Sequence, residues 1–174
     1  MTSVSPQRAE VQRLIDIAKE HSDKKMRDAH MKWRAAADHS RQLLGPNHEA
    51  TLFCQNNVGR ALIAIELYDE AIPLLEASLR QAQALHGYVH FSVEHICQAL
   101  GTAFRAKKDF ALAYRHWMSA GTSSEAQRGL LHNTTLYCYH QAARAKASAR
   151  LFDEALPLFF KVLDSTEKMH GASQ

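Results

Sequence analysis

Gly45, Gly87, Gly129 and Gly171 stand 42 residues apart. Ala71, Ala113 and Ala155 keep the same interval inside look-alike contexts: Tyr-Asp-Glu-Ala-Ile-Pro-Leu, Phe-Ala-Leu-Ala-Tyr and Phe-Asp-Glu-Ala-Leu-Pro-Leu. A fixed period of this length marks a stacked array, in which one supersecondary unit recurs and adjacent copies bury one another. A chain of 174 residues holds about four such units. Its apolar fraction of 46% suffices for a continuous core.

Strand signals are nearly absent. No sustained apolar/polar alternation occurs, whereas Val58, Leu62 and Ile65, then Ala71, Leu74, Leu75, Ser78 and Leu79, recur at helical spacing. Between the two sets lies Glu66-Leu67-Tyr68-Asp69, long enough only for a tight helix–helix turn. Asp69-Glu70 and Asp153-Glu154 place acids in a first helical turn, where the helix dipole favours them. Pro73 and Pro157 suit an early turn, where a missing N–H costs little. The spacing predicts A helices near 7–22, 49–65, 91–107 and 132–149, and B helices near 24–43, 69–86, 110–120 (to 126 at most) and 152–169. The third B helix is expected to be short or distorted, because Gly121 replaces the leucine found at Leu79 and Leu163.

A small residue late in helix A (Gly59, Gly101, Ala143), an aromatic opening helix B (Tyr68, Phe110, Phe152) and an alanine three residues on resemble the tetratricopeptide repeat. The length of 42, with Leu-Gly-Pro-Asn-His at 44–48 in the linker, is similar to the kinesin-light-chain type. The resemblance implies an all-α solenoid, a right-handed superhelix of about four helix-turn-helix repeats. It would form one domain over 1–174, with repeats near 7–45, 49–87, 91–129 and 132–171. Small residues at 59, 101 and 143 let the paired helices approach closely, and Trp33, Leu75, Trp117 and Phe159, at one repeat position, fill the spaces between layers. That shared position makes the tryptophans core residues rather than ligand anchors.

Motifs of catalysis are missing: no Walker loop, no GxGxxG after a strand, no GxSxG elbow, no HExxH. The expectation is no catalytic residue, no cofactor and no metal. Among 11 histidines, His86, His90 and His95 come nearest to ligand spacing, but they straddle a helix end, a linker and a new helix. Cys54, Cys97 and Cys138 fall in apolar helical segments without a CxxC pair, as buried thiols of a reducing cytosol do. The start, Met-Thr-Ser-Val-Ser-Pro-Gln-Arg, lacks the apolar stretch of a secretion signal, and no run approaches the ~18 apolar residues of a membrane span. A cytoplasmic protein is expected. Net charge is only +3, and Lys and Arg are scattered, so neither nucleic acid nor membrane is an expected partner.

The resemblance also implies a working surface, since helix A residues of such repeats line a concave groove. Carried over, repeat two contributes Phe53, Asn56, Asn57 and Arg60. Repeat three contributes His95, Gln98, Thr102 and Arg105, and repeat four Tyr137, His140, Gln141 and Arg144. Asn57 sits where the resemblance places the asparagine that clamps a peptide main chain. Amides bracket a peptide backbone and guanidiniums grip carboxylates with two prongs, and the set contains no acid. The expected ligand is therefore an acidic protein segment, bound by a non-catalytic scaffold, with Arg60 and Arg144 at one repeat position. The alternative is a regulatory or oligomerisation module of a larger enzyme or transcription factor. The last B helix carries Leu156, Phe159, Phe160 and Leu163 with no further helix to cover them, so either the sequence is one domain of a longer protein or a homodimer forms through the C-terminal repeat.

Overall fold

A computed structural model of the chain describes residues 6–22 and 26–171. The expectations for Met1 to Ser5, and for the first B helix at 24–25, lie outside the described residues. Among those described there are eight α-helices and no strand: α1 (Pro6–Ser22), α2 (Met26–Leu44), α3 (Glu49–Ala64), α4 (Tyr68–His86), α5 (Phe91–Ala106), α6 (Phe110–Arg128), α7 (Asn133–Ser148) and α8 (Phe152–Gly171). Two compact units divide the chain, one ending at Leu85 and the other starting at His86.

The turn from helix A to helix B is built the same way three times. The chain takes a positive φ at Glu66, Lys108 and Arg150, 42 residues apart. The following N–H reaches back to close the helix: Leu67 to the Leu62 carbonyl, Asp109 to that of Phe104, and Leu151 to that of Lys146. This is the left-handed closure of a Schellman motif, with a charged residue at each place where glycine is usual. Where helix B hands over to the next helix A, histidine supplies the cap. The Nδ1 atoms of His48, His90 and His132 accept from the main-chain N–H of Ala50, Ser92 and Thr134 at 3.1, 3.2 and 3.2 Å. Two of the linkers also share a hydroxyl lock. Thr51 donates to the Gly45 carbonyl and meets Ser40, and Thr135 donates to the Gly129 carbonyl and meets Ser124.

In the first unit, Val11, Ile15, Trp33, Val58, Leu62 and Ala71 form the core. A Cβ on Gly59 would stand 2.5 Å from the Leu75 side chain, so the missing methyl lets α3 and α4 close on each other. In the second unit, a Cβ on Gly101 would meet Trp117 at 2.7 Å. Both tryptophans are buried, at 3% and 2% exposure, and belong to the cores.

α6 is neither short nor distorted. It runs without a break to Arg128, with Gly121 inside it. A Cβ at position 121 would lie 2.7 Å from Tyr139, so the glycine makes room for a ring arriving from α7. Its cost in helix propensity, about 1 kcal/mol, is offset by burial of that large side chain.

Candidate functional site

The second unit gathers most of the residues expected on helix A. Gln141, buried on α7, is the pivot: its Oε1 accepts from the Arg105 guanidinium of α5 at 3.0 Å and, at the outer limit, from Arg144 at 3.5 Å. Neither arginine meets a carboxylate among the described residues. An amide oxygen carries only partial negative charge, so two full positive charges converge on it uncompensated. Each guanidinium has five N–H donors, and most remain for a ligand. Tyr137, half exposed, sets its ring edge-on to Trp117 at 5.7 Å. His140 lies edge-on to Phe159 at 5.7 Å. Its imidazole is held below the ordinary histidine range, first by burial and then by Arg144.

Other expected groove residues are engaged within the fold. Gln98 donates to Glu94 at 3.1 Å and to the Cys138 sulfur at 3.5 Å, and the Thr102 hydroxyl bonds to the Gln98 carbonyl. His95 is exposed on α5. In the first unit, Phe53 lies edge-on to Trp33 at 5.8 Å. The Asn57 side-chain N–H group bonds to the Phe53 carbonyl of its own helix at 2.8 Å. Asn56 is buried, and its Oδ1 has no hydrogen-bond partner. Arg60 is exposed. The arginines that meet are thus Arg105 and Arg144, from neighbouring helices of one unit.

Sequence reading missed Glu94. It is fully buried on α5, paired with Arg128 at the end of α6, and met by Gln98 and Gln127. Arg128 also lies 5.1 Å from the centre of the Phe91 ring. Breaking a buried pair of this kind costs roughly 3–5 kcal/mol. Glu94 is therefore a register pin beneath the surface that Gln98 borders. An acid inside Val93-Glu94-His95-Ile96 was the available signal.

Among the described residues, titratable groups elsewhere form no reactive constellation. The three cysteines are buried and form no disulfide. Burial pushes the Cys97 thiol up to about 11, and burial with nearby Glu94 pushes Cys138 up to about 12. Thiols of that kind are poor nucleophiles. His90 caps α5 and stacks on His86 at 4.0 Å, so both rings serve the linker. Among the described residues no group of three or more His, Cys, Asp or Glu is arranged to hold a metal. No helix among them is long and apolar enough to cross a membrane. On α8, Leu156, Phe160 and Leu163 are 49%, 64% and 54% exposed, whereas Phe159 is partly buried against His140.

An all-α array of paired helices with these turns is a helical-repeat protein, and comparison with known proteins shows what it is similar to. The tetratricopeptide repeat model matches residues 20–84. The structure of BtubC (BKLC) from P. vanneervenii is similar over 97% of this chain and 68% of its own, with a TM-score of 0.83 at 15% identity. Kinesin light chain nearly identical TPR-like repeats from Podosopora anserina match over 95% of this chain and 99% of theirs, with a TM-score of 0.59 at 15% identity. Residues 20–84 are thus similar to the tetratricopeptide repeat, and the chain has the all-α fold of tetratricopeptide-type solenoids. Two curated proteins are similar in sequence. The RxLR effector protein SFI4 of Phytophthora infestans (strain T30-4) is 29% identical over 56% of this chain, and the Secreted RxLR effector protein RXLR-C07 of Plasmopara halstedii is 27% identical over 72%. The chain spans 28% and 38% of the length of those two relatives.

Proposed function

We infer that this chain mediates protein–protein interaction, as tetratricopeptide repeats, which are generally not catalytic, do. We propose that this chain is a non-catalytic scaffold that holds an acidic protein segment on the α5/α7 face of its second unit. The observation that carries this reading is the convergence of Arg105 and Arg144 on the Gln141 amide oxygen, without a carboxylate to neutralise them. A carboxylate entering there replaces a weak acceptor with a full charge and takes two N–H donors at once. Tyr137 and His140 precede Gln141 and Arg144 on α7 and offer ring surfaces to an aromatic side chain of the same segment. Helices fixed by their own core need little reordering on binding, so less of the interaction is lost to entropy.

The same proposal includes a cytoplasmic site of action, which suits three buried cysteines that form no disulfide. The relatives named as effectors add the reading that the chain is one binding module within a longer protein. The test is fluorescence anisotropy with a labelled Glu-rich peptide carrying one tryptophan. Arg105→Glu with Arg144→Glu should weaken binding at least tenfold while the helical circular dichroism stays unchanged, and added salt should weaken the unaltered protein too. Affinity that is indifferent to both changes removes the proposal.

A further inference from the structure

The two units are close copies offset by 84 residues, and the copy shows what one of them lacks. The Ser40–Thr51 and Ser124–Thr135 locks correspond, as do the edge-on ring pairs Trp33–Phe53 and Trp117–Tyr137 at 5.8 and 5.7 Å. At Tyr139 the second unit buries a phenol ring. Gly121 makes room for it, Glu125 receives its hydroxyl proton in a hydrogen bond, and the Lys161 ammonium lies 4.1 Å from the ring centre. In the first unit these four places hold Gln55, Ala37, Arg41 and Ala77. No ring fills the slot, and a cleft of about 350 Å³ opens there between α2, α3 and α4. Ala37, Val58 and Leu74 give it apolar walls, and Gln55, Arg41 and the Arg34 and Glu70 pair line the rest.

We propose that this cleft is a binding site for an aromatic ring bearing one carboxylate. A void of roughly 150 Å³ lined by apolar groups already accepts benzene, so the volume admits a ring with a substituent. The polarity follows from the exchange of Glu125 for Arg41: where the second unit accepts a proton from a phenol, the first offers guanidinium donors. Arg41 has no ion pair among the described residues, whereas Arg34, on the same helix, lies 3.6 Å from Glu70. Asp38 also lines the cleft and disfavours a second negative charge on the ligand. The Gln55 Oε1 accepts from Ser78 at 3.0 Å, which holds the amide against the wall.

The required chemistry, ring plus carboxylate, exists in a free aromatic acid and at the end of a peptide terminating in tyrosine. Ligand-observed NMR on the full chain with sodium benzoate, and separately with N-acetyl-Gly-Gly-Tyr free acid, tests both sources, and the tighter of the two identifies the source. A ligand this small is expected to bind in roughly the millimolar range or somewhat tighter. Arg41→Gln should weaken benzoate at least tenfold yet leave benzyl alcohol unchanged. Ala37→Gly combined with Gln55→Tyr rebuilds the occupied slot of the second unit and should abolish binding of every probe with helicity intact. Absence of binding by both acids at ten millimolar, or benzoate binding that survives Arg41→Gln undiminished, overturns the proposal.

Discussion

At Gly101 the absent side chain is what allows Trp117 to sit flat against α5. Adding a Cβ there puts carbon 2.7 Å from two atoms of a rigid indole, which cannot rotate out of the way without opening the core. Overpacking of this kind costs roughly 1–3 kcal/mol, and alanine returns up to about 1 kcal/mol of helix propensity. Gly101→Ala should therefore lower stability by about 1–2 kcal/mol, read as a lower urea midpoint at unchanged slope. Gly59→Ala should cost less, because Leu75 is a flexible neighbour. A second residue-scale effect concerns pH. His116 stacks on Phe104 at 5.4 Å, and burial, helped by Arg115, pulls its imidazole down to about 4 from the usual 6.5. The unfolded chain therefore binds a proton more readily than the folded one between those values, so stability falls as pH drops through that window. With part of the ring in water, the loss from pH 7 to pH 4 is about 1–2 kcal/mol. His116→Phe should remove that share of the slope in thermal melts taken across the range.

The helix-to-helix turns depend on a backbone conformation that their residues dislike. Lys108 holds φ at 63° in the closure after α5, where a Cβ is strained and a glycine is not. Lys108→Gly should stabilise the chain by roughly 0.5–1 kcal/mol, less the entropy that glycine adds to the unfolded state. A change in the opposite direction, by chemical denaturation, would show that Lys108 contributes contacts beyond its backbone. These turns also show what the sequence made legible. Periodicity placed seven of the eight helices to within about two residues, because a 42-residue repeat averages out local ambiguity. It misjudged α6, since propensity treats Gly121 as a breaker, and only the arrival of Tyr139 from another helix explains it. Pro73 and Pro157 lie a turn deeper in α4 and α8 than a first-turn proline. For the candidate site, position alone pointed to Arg60 and Arg144, two repeats apart. The meeting of Arg105 with Arg144 depends on the buried Gln141 between them, a tertiary relation that no repeat index encodes.

For the molecule as a whole, the open question is the outer face of α8. The places on α6 that correspond to Leu156 and Leu163 are Tyr114 and Gly121, and there both meet residues of α7. Lys146 lies 4.3 Å from the Tyr114 ring centre, and Tyr139 packs over Gly121. The same register on α8 presents Leu156, Phe160 and Leu163 with about half or more of each side chain exposed. Three large apolar side chains in adjacent turns of one helix form a stripe of the kind that interaction surfaces show. We propose that a second copy covers it, since a two-fold axis sets the stripe against itself and needs no further complementarity. Each large side chain withdrawn from water contributes on the order of 1 kcal/mol when half of it was exposed, and the two copies supply six. That total of about 6 kcal/mol is below the roughly 8 kcal/mol of a micromolar complex even before the entropy of association, so a weak, submillimolar-to-millimolar dimer is expected. Sedimentation equilibrium at several hundred micromolar should then report a dimer fraction that grows with concentration. Phe160→Glu with Leu163→Glu should convert it to a monomer with the same helical content, because both side chains point away from the core. A single monomeric species up to several hundred micromolar in the unaltered chain would eliminate the dimer and leave the stripe for a different partner.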